Sequence, residues 1–224
     1  IYDFDDAIWL TDRNDENRLI RVLKWRQKVR QICMWAFRIS CGNEYLCNYA
    51  RAYNHAVVYN PTTVDTDHVH FPSRTRTYKT GSVITIGWTG SYTTTKYLKS
   101  IENVLRRITE SFGNIEILII ADEKPALQVP FTFREWNEAT EVADLENIDI
   151  GIMPLPDDAW AKGKCGFTAI QYLSLNIPCI LSPVGVNTRV VTQGVSGFFC
   201  SSEDEWFEAL SALIQNGSLR KAMG

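Results

Sequence analysis

Short apolar runs alternate with amphipathic stretches along most of the chain. In the first sixty residues, an alternating apolar and acidic segment precedes a long stretch with apolar residues at helical spacing, and two further apolar runs follow with a shorter amphipathic stretch between them. Patterns with periods of 2 and about 3.6 residues predict strands and helices respectively. We therefore predict a β-α-β-α-β unit whose second helix has Asn43 as its N-cap, with strands at 1–6, 38–41 and 56–59 and helices at 17–36 and 43–53.

The pattern is interrupted between residues 60 and 81, where Pro, Thr, Asp, His and Arg occur without periodicity, as in a linker between domains. The alternation then resumes and predicts strands at 82–88, 115–120, 131–133, 148–153, 179–182 and 197–199, with helices at 97–111, 136–145, 168–175 and 203–215. Alternating strands and helices predict an α/β fold with parallel sheets. We expect a Rossmann-like domain at 82–224 and a truncated second Rossmann-like unit at 1–59, and we interpret both chain ends as truncations.

Charge and composition narrow the range of partners. The formal net charge of −3 arises from 23 basic and 26 acidic residues without an evident long run of one sign, so we expect no nucleic acid partner. The six cysteines form no CxxC pair and have no histidine at zinc spacing, which predicts free thiols in a reducing cytoplasm and no metal site. No apolar run of about 18 residues and no secretory leader occurs, which also favours a cytoplasmic protein.

Two loops that join a strand to a helix are candidates for anion binding. Gly90 and Ser91 follow the strand at 82–88, where a glycine turn and a helix N-terminus can receive a phosphate, and Lys96 follows one turn later. The second loop, at 160–168, contains glycines and lysines and leads into the helix at 168–175. The alternatives are an ordinary glycine turn in the first case and a solvated polar loop in the second.

Taken in order, these segments resemble the group 1 (family 4) glycosyltransferases of the GT-B fold, chiefly their C-terminal domain. The resemblance is carried by Gly-Lys-Cys-Gly-Phe-Thr at 163–168, by Gln-Tyr-Leu-Ser at 171–174, by Asn176 and Pro178, and by Ser-Pro-Val-Gly at 182–185. Residues 2–9, 60–65, 86–91 and 148–155 also match the family in the right order. The resemblance implies transfer of a sugar from a nucleotide-diphospho sugar to a hydroxyl acceptor, with retention of configuration and without a metal or other cofactor.

The resemblance also implies roles for individual residues. Gln171 and Met153 would bind the donor ribose and base together with Trp136, for which a buried core aromatic is the alternative. The donor diphosphate would be bound by Gly90, Ser91, Lys96, Lys164, Gly166, Phe167 and Thr168. The acceptor would be a glycan, a lipid-linked molecule or a small molecule, and peripheral membrane association of the full-length protein would be compatible with it. Catalytic groups would lie upstream of Ile1, so we expect this chain alone to be inactive.

Three departures from the family pattern leave alternatives open. Gly163 occupies the place of the first glutamate of the family's glutamate pair, Gln171 that of the second, and Thr168 that of a frequent lysine. A non-catalytic or degenerate nucleotide-sugar-binding module is therefore one alternative, and a GT-B-type sugar epimerase or phosphorylase is another. Asp3, Asp5 and Asp6 allow a third interpretation, a metal-nucleotide site of the GT-A kind. A Rossmann dehydrogenase is disfavoured because the chain has no GxGxxG fingerprint.

Overall fold

The computed structural model describes residues 1–10, 27–73 and 82–224. The chain divides into two compact units. The first unit comprises Ile1–Thr63, Asp157–Gly166 and Val184–Val186, and the second comprises Val64–Pro156, Phe167–Pro183 and Asn187–Gly224. The change at residues 63–64 falls inside the predicted linker, whose described part contains neither helix nor strand. Residues 157–166 and 184–186, which we expected in the C-terminal domain, belong to the first unit. The domain limits at 1–59, 60–81 and 82–224 remain a prediction.

Strands and helices alternate through both units. The strands are β1 (Tyr2–Phe4), β2 (Ile39–Cys41), β3 (Val57–Tyr59), β4 (Ile84–Thr89), β5 (Ile115–Ala121), β6 (Thr132–Glu135), β7 (Ile150–Met153), β8 (Cys179–Leu181) and β9 (Gly197–Phe199). The helices are α1 (Lys28–Trp35), α2 (Glu44–Arg51), α3 (Lys96–Lys99), α4 (Glu102–Ser111), α5 (Glu141–Leu145), α6 (Ala159–Lys162), α7 (Phe167–Ser174), α8 (Asn187–Val190), α9 (Glu203–Gln215) and α10 (Gly217–Met223). A 3-10 turn at Tyr92–Thr94 precedes α3.

The first unit has a three-stranded parallel sheet in the order β1-β2-β3. Its core contains inward-facing residues of the sheet and of the two helices, among them Phe4, Val29, Ile39 and Leu46. The Asn43 side chain accepts a hydrogen bond from the backbone N–H of Leu46, which confirms it as the N-cap of α2. The predicted β-α-β-α-β order is therefore present, although most of the helix predicted at 17–36 lies outside the described residues.

The second unit has a six-stranded parallel sheet in the order β6-β5-β4-β7-β8-β9. On one face, alternate residues such as Ile86, Ile119 and Ile152 pack against α4 and α9 in the main core. On the opposite face of the sheet, the central strands β4 and β7 carry glycine. A Cβ at Gly87 would lie 2.2 Å from Cγ1 of Ile148. A Cβ at Gly151 would lie 2.4 Å from Cδ2 of Tyr172, so this face admits large side chains only because the strands lack their own.

These parallel, helix-flanked sheets confirm the predicted α/β fold class, with a Rossmann-like sheet in the second unit and a smaller one in the first. Two helix predictions need correction. The helix predicted at 97–111 is divided at Ser100 and Ile101 into α3 and α4, and the one predicted at 136–145 begins only at Glu141. Among the helices described here, none is both long enough and apolar enough to span a bilayer.

Candidate functional site

The loop after β4 contains the first candidate anion site, in the second unit. The N–H of Gly90 donates to the Ile120 carbonyl oxygen at 3.2 Å, and the Ser91 hydroxyl lies 2.9 Å from the Thr93 hydroxyl. A Cβ at Gly90 would lie 2.6 Å from Cζ2 of Trp88, so packing against this ring already requires glycine there. The loop enters a 3-10 turn and the four-residue α3 rather than a long helix, so the helix-dipole contribution expected at Gly90 and Ser91 is small.

Lys96 and Trp136 are two further predicted site residues of the second unit. Lys96 is exposed, and its Nζ lies 5.6 Å from the centre of the Tyr97 ring. Trp136 follows β6 and is 43% exposed, with its indole N–H donating to Glu141 Oε1 at 2.9 Å. The alternative interpretation of Trp136 as a buried core aromatic is therefore wrong, because the ring lies at the surface with its N–H bonded to Glu141.

The carboxyl ends of β7 and β8 are joined through Ser182. Its hydroxyl accepts the Leu155 N–H at 2.9 Å, and its own N–H donates to the Met153 carbonyl oxygen at 3.2 Å. The Asn187 amide donates in turn to the Ser182 carbonyl oxygen at 3.1 Å. Ser182, the first residue of the Ser-Pro-Val-Gly motif, thus fixes the backbone around Met153, whose side chain is buried. The motif has a structural role that its sequence pattern alone did not reveal.

Helix α7 carries the remaining candidates of the second unit. Phe167 is 42% exposed at the first turn, with Thr168 beside it, and the first turn contains no acidic residue. Gln171, one turn later, is only 2% exposed, and its Nε2 lies 3.3 Å from His70 Nε2. An amide nitrogen can only donate, so His70 Nε2 is the acceptor in this contact. Gln171 therefore contacts a protein side chain in this structure, and a ribose would have to displace His70 to reach it.

His70 was not among the predicted site residues. It comes from the connecting segment, yet it is buried, and its ring contacts Phe167 edge to face with centroids 6.3 Å apart. Its Nδ1 has no hydrogen-bond partner among the residues that the structure describes. No local pattern indicated this burial, because a histidine in a polar, aperiodic stretch is typical of exposed loops.

The glycine-and-lysine loop belongs to the first unit, where it lies against residues that follow β1 and β2. The Asn43 side-chain amide donates to the carbonyl oxygens of Gly163 at 2.9 Å and Lys164 at 3.1 Å. The Cys165 thiol donates to the Asp5 carbonyl oxygen at 3.0 Å. At the end of the loop, Gly166 has a φ of 73°, a conformation that favours glycine. One asparagine therefore caps α2 and fixes this loop.

Charge at the loop is largely compensated within the first unit. The Lys164 ammonium lies 3.7 Å from Asp6 Oδ1, and Lys162 lies 2.9 Å from Asp157 Oδ1. Burial raises the pKa of Asp6, and the nearby Lys164 partly offsets this increase. Burial also raises the pKa of the Cys165 thiol to about 11, so this thiol is protonated near neutral pH. Among the described residues, no group of three or more His, Cys, Asp or Glu side chains is arranged to hold a metal ion.

The predicted diphosphate-binding residues are thus divided between the two units. Lys164 and Gly166 lie in the first unit, whereas the others lie in the second, at or near carboxyl strand ends or at the start of α7: Gly90, Ser91, Lys96, Phe167 and Thr168. The roles of these residues remain predictions. The structure adds contacts of Asn43, Asp6 and Ser182 with these loops that the sequence patterns did not predict.

Comparison with known proteins identifies the fold. No protein-family model matches the chain, and no curated protein matches it in sequence. Among solved structures, the chain is similar to HepE (Alr3699) from Anabaena in complex with UDP and glucose, with a TM-score of 0.71, 10% identity, and coverage of 99% of this chain and 63% of that chain. It is also similar to sucrose-phosphate synthase from Thermosynechococcus elongatus, with a TM-score of 0.63, 11% identity and coverage of 99% and 60%.

A third similar structure is the C-terminal domain of a group 1 family glycosyltransferase, LpcC, from Francisella tularensis, with a TM-score of 0.54 and 16% identity. It covers 71% of this chain and 92% of that domain. The chain spans less than two thirds of the length of the HepE and sucrose-phosphate synthase chains. The similarities to HepE and sucrose-phosphate synthase, which extend over nearly the whole chain, show that its fold is the Rossmann-like GT-B fold of glycosyltransferases.

Proposed function

We propose that this chain supplies the donor site of a glycosyltransferase that transfers a sugar from a nucleotide-diphospho sugar to a hydroxyl acceptor. The observation that supports this most directly is the glycine-and-lysine loop, because Asn43 fixes two of its carbonyl groups and Gly166 ends it in a conformation that favours glycine. The HepE structure, which has the same fold, contains UDP and glucose. A nucleotide-sugar is therefore the partner that we propose for this chain as well.

The chemistry proposed for this site is charge stabilisation. When the glycosidic bond of the donor breaks, the leaving nucleotide diphosphate gains negative charge, which preorganised N–H groups and cations can stabilise without a metal. The free N–H groups of the eight-residue α7 and the Thr168 hydroxyl are suited to bind phosphate oxygens, since no carboxylate lies in its first turn. Lys164, Lys96 and the backbone of Gly90 and Ser91 would supply the remaining donors, with the sugar transferred with retention.

In this proposal the residues at 82–224 form the donor-binding domain and those at 1–59 belong to the acceptor-side domain, joined by the linker at 60–81. Trp136 would contact the base, since its exposed ring is held by Glu141. The backbone near Met153 would approach the nucleotide. The six buried free cysteines support a cytoplasmic location, where thiols stay reduced.

One observation favours a second candidate, a degenerate nucleotide-binding module. Gln171 occupies the place of the family's ribose-binding glutamate, but it is buried and its amide contacts His70. Thr168 also stands where relatives often have lysine. Such a module would retain the fold and bind nucleotide-sugars weakly or not at all.

Calorimetric titration of the 224-residue chain with UDP-, GDP- and ADP-sugars, with and without magnesium, tests the proposal. We expect one nucleotide to bind independently of magnesium, Lys164→Ala to weaken that binding roughly tenfold to a hundredfold, and Lys221→Ala, an exposed lysine of α10, to leave it unchanged. Thr168→Lys adds a cation at α7 and should strengthen binding. Failure of every nucleotide to bind the folded chain would instead favour the degenerate module.

A further inference from the structure

The balanced net charge of the chain conceals one strongly basic stretch. Between Asn17 and Asn43 the sequence contains no aspartate or glutamate. Seven basic residues fall in the same stretch: Arg18, Arg21, Lys24, Arg26, Lys28, Arg30 and Arg38. Interspersed apolar and aromatic residues give it the composition of a basic amphipathic segment, which is typical of membrane-surface helices.

The described part of this stretch exposes large apolar side chains. Helix α1 buries only Val29 and Cys33 in the core of the first unit. Trp35, its last residue, is 74% exposed, and Phe37, two residues later, is 86% exposed. Met34 is exposed as well. Exposed large apolar side chains at neighbouring positions often mark a surface that binds a partner or a membrane.

Exposed cations lie within a few residues of these aromatic side chains along the chain. Lys28, Arg30 and Arg38 are all exposed. The Arg30 guanidinium lies 5.5 Å from the centre of the Tyr53 ring, which holds this cation against the first unit. We define the basic aromatic surface by six residues: Lys28, Arg30, Met34, Trp35, Phe37 and Arg38.

We propose that the basic aromatic surface docks on an anionic lipid membrane. Tryptophan and phenylalanine are favoured at the boundary between headgroups and acyl chains, and arginine and lysine are attracted to anionic headgroups. The cations and the absence of acidic residues supply charge complementarity to such a surface, and the apolar side chains supply the part that enters it. A nucleic acid would use the cations but would leave Met34 and Phe37 without an apolar environment. This inference is independent of the proposed glycosyl transfer.

Sedimentation with lipid vesicles tests the proposal on the full 224-residue chain. We expect the chain to bind vesicles of phosphatidylcholine mixed with phosphatidylglycerol, and to bind vesicles of phosphatidylcholine alone at least about tenfold more weakly. The double variant Trp35→Ser/Phe37→Ser should lower the partition coefficient by about tenfold or more. Lys28→Gln/Arg38→Gln should weaken binding to the anionic vesicles and reduce its dependence on salt concentration.

The matched control is Val83→Ser/Val195→Ser, which removes two exposed apolar side chains elsewhere and should leave vesicle binding unchanged. Circular dichroism shows whether each variant is folded, and the charge variant gives a second test if the aromatic one is not. The proposal is overturned if no vesicle binds, if neutral and anionic vesicles bind equally, or if single-stranded nucleic acid binds as tightly as anionic vesicles. It is also overturned if the chain self-associates without binding vesicles and the aromatic variant abolishes that self-association. That result would identify a second copy of the chain as the partner.

Discussion

Asn43 connects two parts of the first unit that are more than one hundred residues apart in the chain. Its carbonyl oxygen Oδ1 caps α2, and its Nδ2 donates to backbone carbonyl groups of the glycine-and-lysine loop. The cap could be predicted from the sequence because asparagine before an amphipathic stretch is a local signal. The contact with the loop could not, because no local pattern indicates which distant carbonyl groups a side-chain amide reaches.

Substitution of Asn43 should separate the two roles. Asn43→Ala removes the cap and leaves buried carbonyl groups without a donor, so we expect a loss of about 2–4 kcal/mol in the free energy of unfolding. Asn43→Asp retains the cap acceptor but cannot donate to the loop, and it should lose about 1–3 kcal/mol. Urea denaturation measures both, with Asn48→Ala, an exposed asparagine of the same helix, as the control. If Asn43→Asp were as stable as the parent, the loop contact would contribute nothing.

The pair formed by Asp6 and Lys164 should make stability depend on pH. Burial raises the pKa of Asp6 in the folded state, so the folded chain binds this proton more tightly than the unfolded chain. Because of this carboxyl group, the free energy of unfolding falls as pH rises from the unfolded pKa of about 4 through the raised pKa of the folded state. Asp6→Asn should flatten the pH dependence. Lys164→Gln should steepen it, because Lys164 lowers the pKa of Asp6.

Denaturation in urea at a series of pH values between about 3 and 7 checks this prediction, and the comparison of the three proteins cancels the contributions of all other groups. Opposite changes of slope in the two variants identify the pair as the cause. Parallel curves for all three proteins would contradict it.

At the scale of elements, most strands and helices could be predicted from apolar periodicity alone. The six strands of the second unit and the helices α7 and α9 occur close to their predicted positions, since each has a strong and local pattern. The break between α3 and α4 was missed because the apolar residues on both sides keep helical spacing across it. Trp136 was harder still, because its exposure depends on a partner five residues away, Glu141, that composition does not mark.

The packing of α7 on the sheet provides a prediction at this scale. The Tyr172 hydroxyl donates to the Gly87 carbonyl oxygen and accepts the Thr89 N–H, both at 3.2 Å, so its ring has little freedom to move. Gly151→Ala would insert a methyl group into this ring, and we expect it to lower the free energy of unfolding by about 1–3 kcal/mol. Gly113→Ala, where no atom lies within 4 Å of the added carbon, is the control and should change stability little. Equal thermal melting points for the two variants would contradict this account.

At the scale of the whole molecule, the order of elements was predictable and the membership of the units was not. The linker composition indicated a change of unit near residues 60–81, and the structure has one at 63–64. The sequence could not indicate that residues 157–166 pack with residues 1–63, because that association depends on Asn43, Asp5 and Asp6 together. The sequence therefore allowed a set of candidate site residues to be predicted, but not the unit to which each of them belongs.

The discontinuous first unit has a consequence for how genes of this kind can recombine. An exchange at the linker would transfer the segment for residues 1–59 from one gene to another. The resulting chimaera would keep the recipient's own glycine-and-lysine loop. The incoming half must then bring an asparagine at the position of Asn43 and a suitable carboxylate at that of Asp6, or the recipient's loop loses its support. Halves of such proteins should consequently be inherited together, and successful chimaeras should be those whose crossover partners share these few residues.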